Sequence, residues 1–207
     1  EYFFVSKEEF RGSDTLTLLK NTLPASHTIY IPKKTRGPVE TLSHMWNMLP
    51  GNEPALVSYC DFSAQWDFVD FVKSVGRPGI DAAVPSYTGF HPHLIHKKKY
   101  AGIIADSSGR ILDMREKHSF TENPQDSFHS AGNYYFSKAG EMQEYGERLL
   151  AEGETVNGEH YVSMIYYYYL ADKKNVLVHP MKHFLQWGTP EDLEEYEAWS
   201  KHLQGEE

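Results

Sequence analysis

Several short segments carry side chains able to do chemistry. Asp61 follows the apolar residues 55–59, which read as a strand. In an open α/β sheet, ligands gather at the carboxyl ends of strands. An acid there can hold Mg²⁺, which takes one or two carboxylates and completes its shell with water and substrate phosphates. The same residue could instead cap the next helical turn. Glu116-Lys117 ends the strand-like stretch 111–116, with Arg115 just before it. A lysine beside a glutamate offers a phosphate contact and an acceptor for sugar hydroxyls, or else a solvated ion pair. Asn157-Gly158-Glu159 precedes a helical pattern and could present a further hydroxyl-binding acid or form a simple turn.

Three other features invite chemistry and fit packing better. His91-Pro92-His93 with His96 has imidazoles suited to zinc, but Pro92 restrains the backbone and no cysteine lies close enough to complete a set. Tyr166-Tyr167-Tyr168-Tyr169 covers more than one face of a helix, so it reads as part core and part rim. Cys60 has Asp61 beside it, and a neighbouring carboxylate disfavours a thiolate.

The elements that must position these groups alternate along the chain. Residues 2–5, His27–Ile31, 55–59 and 81–86 read as strands, and 7–19, 40–48 and 67–75 as helices between them. That order predicts a mostly parallel sheet covered on both faces. Residues 100–105 and 111–116, joined by Asp106-Ser107-Ser108-Gly109, read as an antiparallel hairpin. A strand over 130–136, helices over 142–150 and 161–170, and short strands over 176–179 and 183–187 follow. Thr189-Pro190-Glu191-Asp192 supplies an N-cap, a proline at the first helical position and acids in the first turn, so a closing helix should run to Leu203. The fold class is α/β with an inserted antiparallel part.

Composition narrows the function. The 207 residues suit a single domain, 1–207, and 20 Lys+Arg against 29 Asp+Glu give a formal charge of −9. That sign is wrong for tracking a phosphate backbone, so no nucleic-acid partner is expected. No apolar run reaches a membrane span, and no like-charge block exceeds Lys97-Lys98-Lys99. One cysteine excludes an internal disulfide framework and fits a reducing, cytoplasmic setting.

Residues 55–62, Thr88-Gly89-Phe90-His91-Pro92-His93, Arg115-Glu116-Lys117, residues 130–136, Val156-Asn157-Gly158-Glu159 and Gln186-Trp187-Gly188-Thr189-Pro190-Glu191-Asp192-Leu193 follow one another along the chain. In this order the six segments resemble the sugar-phosphate nucleotidyltransferase family, in particular its branch in bacterial surface-polysaccharide synthesis. The resemblance implies a Rossmann-like, GT-A-like mixed sheet flanked by helices, with an antiparallel sugar-binding part. It implies a reaction of a nucleoside triphosphate with a sugar 1-phosphate that yields a nucleotide sugar and pyrophosphate with Mg²⁺. By this likeness Asp61 is the metal and catalytic aspartate, Gly37 the glycine beside the nucleotide, and Glu116 and Lys117 the pair that handles the sugar and its phosphate. Gly132 stands beside the sugar, Asn157 and Glu159 meet its hydroxyls, and His91 and His93 line the pocket. Homo-oligomers are common among such proteins.

Two departures are expected to matter. The family opens on a strand and a glycine-rich, Arg-bearing loop that wraps the triphosphate, whereas residues 2–5 match its second core strand, so the first βα unit is expected to be absent. Many members also carry a second metal aspartate where this chain has Gln186. The alternative that these departures raise is a module that binds sugar phosphate or nucleotide without chemistry. A metal-dependent glycosyltransferase ranks behind both, because Asp61-Phe62-Ser63 lacks the second acid of that class's strand-end pair.

Overall fold

The computed structural model describes residues 1–96 and 100–204. The lysine run 97–99 and the side chain of His96 lie outside the described residues. The chain opens with β1 (Phe3–Lys7), α1 (Asp14–Thr22) and β2 (His27–Ile31). β1 and β2 pair in parallel as a two-stranded sheet of their own. Ser13 caps α1, accepting from the Leu16 N–H, but no α1 side chain is buried.

The main sheet takes β3 (Ala55–Ser58), β5 (Ala82–Tyr87), β6 (Gly102–Ala105), β7 (Ile111–Arg115), β8 (Phe128–Ser130), β9 (Asn133–Phe136) and β10 (Val176–Pro180). A separate ribbon pairs β4 (Phe62–Gln65) with β11 (His183–Gln186). Between them run α2 (Pro38–Ser43), α3 (Phe68–Val75), the single turn α4 (His93–His96), α5 (Ala139–Glu152), α6 (Ile165–Ala171) and α7 (Pro190–Gln204).

The sheet is mixed rather than mostly parallel. Within it β5 and β10 pair in parallel, while the other pairings are antiparallel. Strand–helix alternation misleads here because β9 runs between β3 and β5 in the opposite sense. The stretch 130–136 is also two strands. β9 pairs with Ala82 and Ala83 at one end of β5, and β8 pairs with Ser86 and Tyr87 at the other. Gly132, at φ +72°, turns the chain between them.

β5 is buried along its whole length because helices cover both faces of the sheet. Ala82 and Val84 face α5 and α6, in a core with Met142, Leu149, Tyr166 and Tyr169. Ala83 faces the other way, onto Phe71 and Val75 of α3. The Tyr166 hydroxyl donates to the Ala83 and Tyr135 carbonyls at 3.1 and 3.0 Å, tying helix to sheet without an orphaned polar atom.

Gly102 marks the tightest point in the β6–β7 hairpin. A side chain there would overlap the His118 carbonyl, which backbone cannot readily vacate. Gly102→Ala is therefore expected to cost at least about 2 kcal/mol in a denaturant titration. Gly51→Ala, whose new methyl would meet only ordinary contacts, should stay within about 0.5 kcal/mol.

Candidate functional site

Gly132 sits where the main sheet divides. On the side away from β5, β9 continues to β3 and β8 continues to β6. The Tyr59 N–H donates to the Gly132 carbonyl at 3.0 Å, so the end of β3 runs toward the break. From the other direction the Ser130 N–H donates to Ala101, which brings the start of β6 to the same place. Gly102 lies opposite Arg115, so the chain leaving β7 delivers Glu116 and Lys117 there too. A Cβ on Gly132 would stand 3.0 Å from the Phe62 ring and 3.4 Å from that of Tyr59, the residues flanking Cys60-Asp61.

Asp61 is exposed and precedes strand β4, so it caps no helix; the cap of α3 is Asp67, which accepts from the Asp70 N–H at 2.9 Å. The Trp187 N–H donates to the Asp61 carbonyl at 2.9 Å, pinning the backbone to the β11 side. A Cβ at position 188 would come within 2.7 Å of Asp61 Oδ2, so Gly188 makes room for the carboxylate. Sequence reasoning assigned Gly188 no role, although it lies inside one of the six quoted segments. Cys60, beside Asp61, is a free and exposed thiol.

Glu116 is no solvated pair. It is buried, with Oε1 at 3.8 Å from Lys117 Nζ and Oε2 accepting from the Ser163 hydroxyl. Burial pushes its carboxyl above the ordinary range, opposed by the Ser163 hydrogen bond and the Lys117 ammonium and reinforced by the nearby Glu159 carboxylate. The Glu116 N–H donates to the Tyr167 hydroxyl at 2.7 Å. Tyr167, read from the sequence as packing, thus holds the site backbone. A cavity of about 460 Å³ opens beside these groups, with Asp113, Arg115, Glu116, Lys117 and Tyr167 among its walls.

Asn157 and Gly158 both take positive φ, 52° and 80°, between the reciprocally bonded Val156 and Glu159. This is the left-handed pair of a tight hairpin turn, which Asn-Gly favours. The turn sets His160 against Gly37. The His160 N–H donates to the Arg36 carbonyl at 2.8 Å, and the His160 carbonyl accepts from the Val39 N–H at 3.0 Å. A Cβ on Gly37, itself at φ +109°, would lie 2.6 Å from the His160 nitrogen. Backbone meets backbone there, which only glycine permits. Lys117 Nζ stands 5.1 Å above the Tyr161 ring, joining this turn to the Glu116 side.

His91 and His93 enter an aromatic cluster. His93 Nε2 is 2.7 Å from the Tyr87 hydroxyl, and the Tyr87 ring stacks on Phe184 at 4.6 Å. Burial lowers the His91 imidazole below its usual pKa. The cluster borders the break through Tyr100, whose ring lies 5.6 Å from His93 and whose hydroxyl is held neutral mainly by burial and then by the Asp61 carboxylate. Among the described residues, no three His, Cys, Asp or Glu side chains gather as a metal cage. Gln186, opposite Phe62 on the ribbon, is buried, and its amide donates to Asp192, which also accepts from Thr189 at 2.7 Å. The structure thus brings Asp61, Glu116, Lys117, Gly132, Glu159 and Gly37 into one linked set, with Asn157 exposed at the turn tip and His91 and His93 behind Tyr100.

A scan against protein-family models finds no match, and a search of curated proteins finds none. Solved structures do match. A nucleoside-diphosphate-sugar pyrophosphorylase from Vibrio cholerae RC9 superposes with a TM-score of 0.72 over 94% of this chain and 79% of that one, at 15% identity. A UDP-glucose pyrophosphorylase complexed with UDP-glucose gives 0.68 over 97% and 80%, at 18% identity. At these identities the likeness is one of fold: the chain has a nucleotidyltransferase-like α/β fold. No helix among the described residues is long and apolar enough to cross a membrane.

Because the folded state raises the Glu116 pKa, this residue's favourable contribution is complete below the free carboxyl value and is lost as pH rises through the folded one. Glu116→Gln should therefore melt no lower than the native chain at pH 7. That advantage should shrink toward pH 4 in thermal melts recorded across this range.

Proposed function

We propose that the chain transfers a nucleoside monophosphate from a nucleoside triphosphate to a sugar 1-phosphate or similar phosphorylated acceptor and releases pyrophosphate, in nucleotide-sugar supply for surface polysaccharide. The observation that carries this reading is the meeting of Asp61, Glu116, Lys117 and Glu159 at the Gly132 break, within a fold shared with nucleotide-sugar pyrophosphorylases. An acceptor phosphate oxygen attacks the α-phosphorus, the bond to the β-phosphate oxygen breaks, and pyrophosphate departs with that electron pair. No covalent enzyme intermediate is needed, so the chain's work is positioning and charge neutralisation.

In this reading Lys117 meets the acceptor phosphate, while Glu116 and Glu159 accept hydrogen bonds from the sugar hydroxyls. His91 and His93 shape the far wall through Tyr100, Gly132 lets the sugar approach, Asn157 holds the tip of the Glu159 turn, and the Gly37 backbone lies beside the nucleotide. An exposed single carboxylate with glycine opposite suits Mg²⁺, whose remaining ligands are phosphate oxygens and water. Asp61 would hold it, and the ion when bound would neutralise the triphosphate. A second reading, ligand binding without turnover, draws support from Gln186, a neutral amide engaged with Asp192 on the ribbon next to Asp61.

Pyrophosphate release from nucleoside triphosphates with hexose 1-phosphates and Mg²⁺, alongside calorimetric binding of a nucleoside-diphosphate sugar, separates the two. Turnover that falls at least about a hundredfold in Asp61→Asn, with the fold intact by circular dichroism, supports transfer. Full activity in that variant removes Asp61 from the chemistry. Binding with no release of pyrophosphate favours the second reading, and absence of both sinks the site.

A further inference from the structure

The successive residues Glu159 to Ser163 reach each side of the opening in turn. Glu159 ends the left-handed turn, the His160 N–H bonds the Arg36 carbonyl beside Gly37, and the Tyr161 ring lies 5.1 Å from Lys117 Nζ. The Val162 N–H then donates to the Tyr59 hydroxyl at 3.4 Å, and the Ser163 hydroxyl donates to Glu116 Oε2. The proposed transfer gives this last contact no role. Ser163 is fully buried on a single 3₁₀ turn, Val162–Met164, that runs straight into α6. With a helix on one side and the Tyr59 contact on the other, its hydroxyl is a fixed donor.

Glu116 is a residue whose orientation needs such a donor. A carboxylate turns readily about its last bond, because a terminal sp³–sp² torsion has broad, twofold wells. Here only 3% of the side chain is exposed, the Lys117 backbone N–H also bonds the carboxyl, and Lys117 Nζ stands 3.8 Å from Oε1. Lys117 itself takes φ +54°, a left-handed conformation that a lysine keeps only where its surroundings impose it. With Oε2 held by Ser163, the two oxygens are no longer equivalent: one is engaged in the interior and the other lies on the Lys117 side. We propose that Ser163 is a positioning residue for the acceptor, which by occupying Oε2 presents Oε1 and the Lys117 ammonium as one rigid pair. This rests on the reading of the opening as the place where a phosphorylated acceptor binds.

The same hydrogen bond bears on the charge of Glu116. Lys117 and Glu159 are the charged groups that face it, and the surrounding hydroxyls of Tyr59, Tyr100, Tyr134, Tyr161 and Tyr167 are kept neutral mainly by burial. Burial also favours the neutral carboxyl, and the Ser163 bond is the largest of the contacts that oppose it. Loss of that bond therefore makes Glu116 hold its proton to higher pH, an effect that a serine serving only to fill space would not produce.

Carboxyl ¹³C NMR on the full chain, with the Glu116 signal identified by its loss in Glu116→Gln, follows this titration directly. Ser163→Ala should raise the proton affinity of Glu116 about tenfold, and Ser163→Thr, which keeps the hydroxyl, should return it to within about twofold of the native chain. Calorimetry with glucose 1-phosphate at pH 7 should show binding weakened at least about tenfold in Ser163→Ala and recovered in Ser163→Thr. Where circular dichroism shows the alanine variant unfolded, Ser163→Cys, a weak donor of similar size, should move both readings in the same direction. An unmoved Glu116 titration, unchanged binding by the variant that lacks the hydroxyl, or a threonine variant no better than alanine would each overturn the proposal and leave the transfer reading standing. A native chain that binds no glucose 1-phosphate would instead remove the acceptor reading, and this proposal with it.

Discussion

The arrangement depends on one turn of backbone at Gly132. A single row of residues, β8 and β9, lies along β5, and its left-handed glycine lets the two halves diverge to different neighbours on their outer side. Without the divergence, β3 and β6 would compete for one edge. With it, their ends point at each other, and the space between them is where Asp61, Tyr100 and Glu116 arrive from three distant parts of the sequence. A β-carbon at this position would both resist the backbone conformation and press on Phe62 and Tyr59. One residue therefore controls the opening and the spacing of the groups around it.

The electrostatics around that opening are lopsided. Carboxylates from Asp61, Glu116, Glu159 and Asp192 crowd the region, and Lys117 stands among them, against Glu116 and over the Tyr161 ring. Burial already holds Glu116 toward its neutral form, and phosphate-rich ligands would bring further negative charge. On the proposed reading, a divalent cation beside the exposed Asp61 carboxylate would offset that charge at short range. The tyrosines contribute differently. Tyr59 and Tyr167 each receive a backbone N–H, from Val162 at 3.4 Å and from Glu116 at 2.7 Å, so the hydroxyls fix the walls while their rings exclude water.

Much of this was legible in the sequence, for identifiable reasons. The strand His27–Ile31, the 111–116 hairpin arm and the capped closing helix follow from β-branching, turn residues and the Thr-Pro-Glu-Asp start. The pairing of distant strands was not legible, because nothing local distinguishes 130–136 as two strands with different partners. The ribbon strand Phe62–Gln65 was missed, since Phe62 and Ala64 alternate with Ser63 and Gln65 over only four residues, too short a run to stand out as a strand. The single helical turn at His93 was missed because Pro92 reads as a loop signal. In the site, residue types located Asp61 and Glu116, but the burial of Glu116 depends on Ser163 and Tyr167 some fifty positions away. The need for glycine at 37 arises from the His160 backbone, and the room that Gly188 leaves for the Asp61 carboxylate likewise comes from a neighbour that only the folded chain supplies.

The position of Cys60 has a practical side. It is the chain's one sulfhydryl, it is exposed, and it is bonded directly to the residue at the mouth of the opening. A maleimide dye or nitroxide would attach at one defined place without any substitution, and its emission or line shape would register what enters beside it. The same geometry makes alkylating reagents a steric plug, so ordinary thiol chemistry can both observe this opening and close it.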